Sequence, residues 1–586
     1  MMKKNYYKVI CAICVISGFT SCSDFLDIKP QSEIILEDFW NEKADVDNIV
    51  AGCYSALQED GVRRRMMIWG EARSENVMAN PSTINGDINL YNILKENITA
   101  MNSYTTWNGF YDVINRCNTV LKYAPDVAAK DPAYTPGDLN ATIAEVTALR
   151  SLCYFYLIRT FRDVPFSREA FTDDDQKMDL PATPFSEVLD NLISDLEAVK
   201  DGAVKRYPED KVSYQTGRIT QDAIHSMLCE MYLWKGDYDN SIRYADLVIQ
   251  SKQELEEERE RKQKFSAETK AAMKLRVGDY PLVCDNLIGT TYGEAYRDIF
   301  VEGASKETIF ELCYDKDRAG NGMTANSAVS ALYGGSNNAG LLVGSKYLKE
   351  DAEATSQRKV FEDKNKKLDA RMYINCDVTR DAPTIEKLAV QSISINGSSA
   401  SPSMTSRSIY PQNNNSSQWI IYRLPDIMLM KAEALCEKMV DGVDSVAQAT
   451  NKPLLDEAFE LVKVINNRSL CKKELTSAPE VLDPADYQTK TLITELVKRE
   501  RQRELMFEGK RWYDLVRYSM RANDTQPIIT AANEREDVNK GFVQNFFKKM
   551  DAIFWPYNID EMKVNRNLVP NPAFGSGENS SYEKSN

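Results

Sequence analysis

Histidine is nearly missing from this sequence: His225 is the single one in 586 residues. That excludes metal sites built from several histidines, and any serine- or cysteine-based catalytic machinery would have to use this one residue. His225 stands beside Cys229 and Tyr232 at helical spacing (i+4, i+7), so it reads as a packed side chain. Positive charge is also short, with 72 Lys and Arg against 87 Asp and Glu and a net charge of −15. Such an acidic body lacks the clustered basic face that nucleic acid requires, and no nucleic-acid partner is expected. Cysteines at metal-ligand spacing are absent as well. Cys53, Cys117, Cys153, Cys229, Cys284, Cys313, Cys376, Cys436 and Cys471 are scattered, and most read as buried thiols acting as small apolar residues. The stretch around Gly334-Gly335 and Asn337-Asn338 fits neither a dinucleotide fingerprint nor a Walker loop. No metal and no cofactor are expected.

The amino-terminal apolar run, Val9 to Phe19 behind Lys3 and Lys4, is too short to cross a bilayer and has the length and charge of a signal-peptide core. Thr20-Ser21-Cys22 follows. A cysteine just past such a core, behind small residues, resembles a bacterial lipobox. Residues 1–21 therefore read as a lipoprotein signal peptide, and Cys22 as the lipid-bearing first residue of the mature chain. Acyl chains on its thiol and amine would anchor it stably, so the chain is expected to be exported and tethered. Cys11 and Cys14 form a CxxC pair that leaves with the signal.

What is present is helical periodicity. From Thr220, Ile224, Met227, Leu228 and Met231 fall on one helix face, and Ser241, Ala245, Val248 and Ile249 fall on the next. Between them Gly236 can end the first helix in the left-handed conformation and Asp237 can cap the second. Small residues at 241 and 245 let the two helices approach. The WKGDYDNSIRYA run resembles the turn of a tetratricopeptide repeat (TPR), and one such hairpin predicts neighbours that share its core. A second hairpin is expected from Tyr422 through Ala434 and from Leu455 to Arg468. Ser251 to Lys274 reads as a charged, solvated extension of the first hairpin. A short buried strand is expected at Ile309, Phe310 and Leu312. Ala319 to Gly344 reads as loop, and Ala389 to Trp419, rich in Ser, Asn and Pro, as a long surface loop.

Motifs along the chain then converge on one family. Asp24-Phe25-Leu26-Asp27 and Pro30 behind the lipobox, Gly52-Cys53-Tyr54 with Leu57, and Glu71-Ala72-Arg73-Ser74-Glu75-Asn76 open the series. Trp107 through Asn118 and Asp163-Val164-Pro165 continue it, with Arg162 where glycine is usual. Tyr422-Arg423-Leu424-Pro425-Asp426 through Ala434, Glu500 to Arg517, and the tail from Phe554 to Asn571-Pro572 complete it. Together they resemble the SusD/RagB family of outer-membrane nutrient-binding lipoproteins.

The resemblance implies a mainly α fold in which TPR-like hairpins form a scaffold, with an irregular, loop-rich carboxy-terminal part containing a few short strands. It divides the chain into a signal peptide (1–21), a TPR-containing amino-terminal region (22–275) and a carboxy-terminal region (276–586). It also implies a lipoprotein at the outer face of the outer membrane that binds a glycan and delivers it to a SusC-like TonB-dependent transporter, whose surface the repeat face would meet. Capture of peptides is the alternative. An enzyme acting on glycans is a third reading.

The charged run from 495 to 518 could suggest paired catalytic carboxylates, but its spacing suits ion pairs. Glu495 and Arg499 stand four apart and Arg511 and Asp514 three apart, although buried arginines gripping helix ends would also explain the pattern. Nothing nominates the two convergent carboxylates of a glycosidase. A sugar site needs flat aromatic faces with polar neighbours. Loop aromatics are the candidates: Trp69 and Tyr91 in the earlier region, then Tyr292, Tyr333, Tyr410 and Trp419, with Asn85, Asp87, Asn337 and Asn338 as hydrogen-bonding partners.

Overall fold

A computed structural model describes residues 39–574 apart from 174, 264–265, 286–290, 315–324, 336–337, 349–359, 361–368, 378–382, 398–401, 412–413, 443 and 472–481. The proposed signal peptide, Cys22 and Asn337 lie outside the described residues. Helix takes 61% and strand 10%, so the class is mainly α.

Helices α1 (Lys43–Leu57), α2 (Asp60–Glu71), α3 (Asn108–Lys130), α4 (Pro136–Phe161) and α5 (Phe185–Val199) precede the expected hairpin, α6 (Gln221–Lys235) and α7 (Tyr238–Lys262). The second hairpin is α8 (Leu424–Lys438) and α9 (Ser445–Ser469), followed by α10 (Lys490–Leu505) and α11 (Arg511–Ala522). Neighbours pack in series: α1 on α3, α3 on α4, α4 on α5, α6 on α7, α7 on α8, and α8 on both α9 and α10. The first hairpin forms as its sequence dictates. Thr220 caps α6 by accepting from the Ala223 amide, Gly236 takes φ +81° to end it, and Asp237 accepts from the Asn240 amide to start α7. Ser241 and Ala245 are fully buried, and the Ser241 hydroxyl donates to the Cys229 carbonyl at 3.0 Å across the pair.

Helix α4 is long and apolar enough to pass for a membrane span, yet its neighbours cover it: from Ala144 to Phe161 every side chain is buried. It is the central strut of the core. Its stop at Arg162 adopts φ +71°, unusual for a residue with a Cβ, and the side chain pairs with Asp163 at 3.0 Å and with Asp551. One cluster of buried apolar side chains runs from Trp40 to Leu568, so regions 22–275 and 276–586 share a core.

The strands are short: β1 (Val77–Ala79), β2 (Thr291–Tyr292), β3 (Thr308–Leu312), β4 (Leu342–Gly344), β5 (Cys376–Asp377), β6 (Thr384–Ile385), β7 (Val390–Asn396), β8 (Ser403–Ile409) and β9 (Trp419–Arg423). All pair antiparallel, β1 with β4, β3 with β9, β5 with β6, and β7 with both β8 and β2. The expected strand at Ile309 to Leu312 is present and fully buried. Ala389 to Trp419 corrects the loop reading. Val390, Ile393 and Ile395 are buried while Ser392 and Asn396 are exposed, the near-alternation of a half-buried strand hidden by Ser-rich composition. Within Ala319 to Gly344 a helix, Ser327–Tyr333, and β4 likewise replace part of the expected loop.

Candidate functional site

Most of the aromatic platforms read from the sequence are core residues. Trp69 is 0% exposed, stacked on Phe110 at 5.0 Å and edge-on to Phe161 at 5.3 Å, and its indole donates to the Tyr104 carbonyl. Trp419 lies in β9 at 2% exposure against Gly509. Tyr292 in β2, Tyr410 beyond β8, and Tyr333, whose hydroxyl donates to the Phe507 carbonyl at 3.1 Å, are buried as well. Trp69, Trp419, Tyr292 and Tyr410 are corrected from platforms to packing, because residues flanking loops here end strands and helices that face inward, and Tyr333, 5% exposed, keeps only an edge on the cleft described below. Tyr91, 36% exposed with Lys95 Nζ 5.5 Å from its ring centroid, keeps a surface face, and Asn85 is exposed in the turn Ile84–Gly86. Asp87 is occupied: it caps the helix Ile88–Leu94 through the Leu90 amide and accepts from the Tyr104 hydroxyl at 2.5 Å.

The backbone nevertheless brings the two loop regions together. Strand β1 pairs with β4, setting Val77 opposite Gly344. Beyond it, Asn80 Nδ2 and Thr83 Oγ1 each donate to the Gly340 carbonyl at 2.7 Å. The segment carrying Asn85, Asp87 and Tyr91 is thereby stapled to the segment carrying Tyr333. Where they meet, a cleft of about 350 Å³ opens, lined by Asn80, by 333–335, 339–340 and 342–343, by 384–386 and 389–390, and by Arg407 and Ile409 of β8. Leu342, Val343, Ile385 and Val390 give it an apolar floor. Asn80, Tyr333, Thr384, Glu386 and Arg407 supply its polar side chains. Arg407 Nη1 touches the Glu386 carboxylate, which also accepts from Thr384 Oγ1 at 2.8 Å. Sequence reading missed Asn80, Glu386 and Arg407. The one available signal was Arg407 itself, the single charge in β8.

The charged run near 500 is a buried lattice rather than a reactive pair. Arg423 grips Glu508 through Nε at 2.9 Å and Nη2 at 2.7 Å, and Glu504 through Nη1 at 2.6 Å. Arg371 joins Glu500, Glu504 and Asp369, while Arg468 joins Glu307 and Glu504. Burial alone would raise the Glu504 carboxyl, but Arg468, Arg423, Arg371 and Lys387 outweigh it and hold it well below the usual range. The expected surface pair of Arg511 and Asp514 does not form. Arg511 reaches back to Glu75 at 2.6 Å, and Asp514 serves Arg501 and Arg517. Glu495 pairs with Lys498, and Arg499 donates weakly to the Glu495 carbonyl. Against burial, Glu500 and Glu508 are likewise held low by their guanidinium and ammonium partners, and side chains engaged this fully read as scaffolding. His225 packs against the Tyr244 ring, and burial lowers its pKa despite the nearby Asp222. Burial likewise pushes the Cys229, Cys313 and Cys436 thiols up to about 12, as inert packing groups.

The fold is a helical-hairpin scaffold bearing a cleft built from its non-repeat segments. Comparison with known proteins specifies it. Residues 306–574 match the SusD family profile and residues 24–233 match a second one, described as starch-binding associating with outer membrane. The chain belongs to the SusD/RagB family. It is 25% identical to a SusD-like protein of Formosa agariphila, covering 94% of this chain and 95% of that one, and 22% identical to another, covering 97% and 99%. Among solved structures, a SusD superfamily protein from Bacteroides vulgatus superposes with a TM-score of 0.59 at 15% identity, covering 91% of this chain and all of that one. A structure described as a laminarin-binding SusD-like protein gives 0.57 at 16% identity, over 91% and 100%. The fold is thus that of the family, and the family description ties it to glycan binding at the outer membrane.

Proposed function

We propose that this chain is a surface lipoprotein, anchored to the outer membrane through Cys22 and facing the exterior, that captures oligosaccharide in the cleft and hands it to a SusC-like TonB-dependent transporter. It binds without covalent chemistry. The observation that carries this reading is the cleft itself: about 350 Å³ is the size of a small-molecule site, and none of its lining comes from the repeat hairpins α6–α7 or α8–α9. An aliphatic floor suits the C–H faces of a sugar ring, and the Arg407–Glu386 pair with nearby backbone groups suits its hydroxyls. The starch-binding description of the family and the laminarin-binding neighbour support a glycan as ligand. Helices α6 and α8 are buried, so a protein partner would meet the exposed faces of α7 and α9.

Native affinity electrophoresis and calorimetry of the purified protein against plant, host and microbial glycans test it. Retardation by at least one polysaccharide, weakened in Arg407→Ala, is expected. Failure to bind any glycan would sink the reading, and binding of peptides alone would transfer the cleft to the peptide alternative.

A further inference from the structure

Among the described residues three aromatic side chains are exposed: Tyr91, Tyr214 and Phe542. Tyr214 lies in the short helix Val212–Gly217, which packs on β3. The other two stand at one turn. Lys95, whose Nζ is 5.5 Å from the Tyr91 ring centroid, donates to the Asp537 carbonyl, and Arg535 donates to the Leu94 carbonyl. The turn 535–539 is thus fixed against the end of the Tyr91 helix. Asn539 caps the next helix, Lys540–Phe546, by accepting from the Phe542 amide at 3.1 Å. Phe542 is 47% exposed and stacks on Phe546, with centroids 5.8 Å apart and 7° between the planes. Phe546 is itself held by Phe547 and Phe574. The same turn reaches the cleft. Glu536 pairs at 3.2 Å with Lys346, two residues beyond β4, whose Leu342 and Val343 belong to the cleft floor.

We infer that the capture surface continues out of the cleft across Tyr91 and Phe542, and that its ligand is an extended polysaccharide chain rather than a mono- or disaccharide; this rests on the capture reading above. A single exposed ring needs no explanation. Two at one turn beside a cleft are a different matter. The segments that carry them also expose the amides of Asn85, Asn539, Gln544 and Asn545. Flat apolar faces with hydrogen-bonding side chains around them are what successive sugar rings require. The cleft itself supplies aliphatic side chains and only an edge of Tyr333, and neither Tyr91 nor Phe542 lines it. A sugar small enough to fill the cleft therefore leaves both rings unused, whereas a longer chain gains a stacking contact at each. Lys95 steadies Tyr91 and Phe546 backs Phe542, so little side-chain freedom is lost when a chain lies on them.

The test is calorimetry of the whole purified protein with linear oligosaccharides of increasing length, prepared from laminarin, starch and mannan. Affinity should climb by at least about tenfold between the disaccharide and the longest chain, as two stacking contacts are added. Tyr91→Ala and Phe542→Ala should each weaken binding of the longest chain by roughly fivefold and flatten the climb. Tyr214→Ala, at the remaining exposed aromatic, should leave the climb unchanged. Two independent variants keep the test open if one fails to fold. A disaccharide that binds as tightly as the longest chain would overturn the extension while leaving capture in the cleft intact. A climb that survives both substitutions, or that Tyr214→Ala flattens equally, would also overturn it. Binding of no glycan would overturn the extension and capture together.

Discussion

Gly70 and Gly509 meet backbone to backbone: a Cβ built on Gly70 would fall 1.8 Å from the Gly509 carbonyl oxygen. Gly509, at φ +69°, sits in the turn between α10 and α11, while Gly70 lies near the end of α2. The next residue, Glu71, completes the junction by accepting from the Phe507 and Gly509 amides at 3.3 and 3.2 Å. Two segments distant in sequence are held here with no space for a methyl group. Gly70→Ala is expected to cost about 3 kcal/mol through forced backbone displacement. Urea denaturation measures it, and an unchanged midpoint would show that the segments separate freely.

The buried lattice predicts an asymmetric response at Arg423. Arg423→Met leaves Glu504 and Glu508 short of a partner in the interior, which should cost about 3–5 kcal/mol at neutral pH. The loss should shrink as the pH falls, because a protonated carboxyl no longer needs the missing guanidinium. The exposed Lys452–Asp456 pair is the control, since Lys452→Ala should shift stability by less than about 1 kcal/mol. Denaturant titrations at two pH values separate the cases, and equal losses would contradict the lattice.

Glu311 in β3 gives the opposite pH sign. Burial raises its carboxyl from 4.5 to about 7, against the Ala304 amide, the Thr216 hydroxyl and nearby Lys252. Its protonated form favours the fold, so its contribution is whole below the unfolded pKa of about 4.5 and fades as the pH climbs through 7, by at most about 3 kcal/mol. Glu311→Gln should flatten that decline. Melting temperatures between pH 5 and 8 decide it, and parallel curves for the two proteins would refute the assignment.

Trp419 and Tyr91, both candidate platforms by sequence, should part company in the melting curve. Trp419→Ala empties a core site and is expected to cost about 3–5 kcal/mol whatever the glycan. Tyr91→Ala should stay within about 0.5 kcal/mol. Only the second can report on sugar contact free of unfolding. Comparable losses in both would show that Tyr91 is also structural.

These contrasts show where the sequence was legible. The α6–α7 hairpin was readable because its signals are local: a cap at Thr220, a left-handed glycine at 236, a cap at Asp237. The lattice was not, since Arg423 finds Glu504 and Glu508 more than eighty residues away and no spacing rule reaches so far. The strand at Val390 hid behind its serines. The loop aromatics were chosen by their neighbours in sequence, whereas burial depends on neighbours in space. The cleft itself depends on a pairing between distant strands that no local pattern encodes.

That pairing has a consequence for how the protein comes into being. Because Val77 meets Gly344, Asn80 of the amino-terminal region is held beside a lining that otherwise comes from 333 onward, so the cleft is complete only when the two are joined. A fragment ending at 275 would carry the α6–α7 hairpin and hold no cleft at all. Ligand affinity should therefore report on that pairing as well as on the lining, and weaken where the pairing is broken.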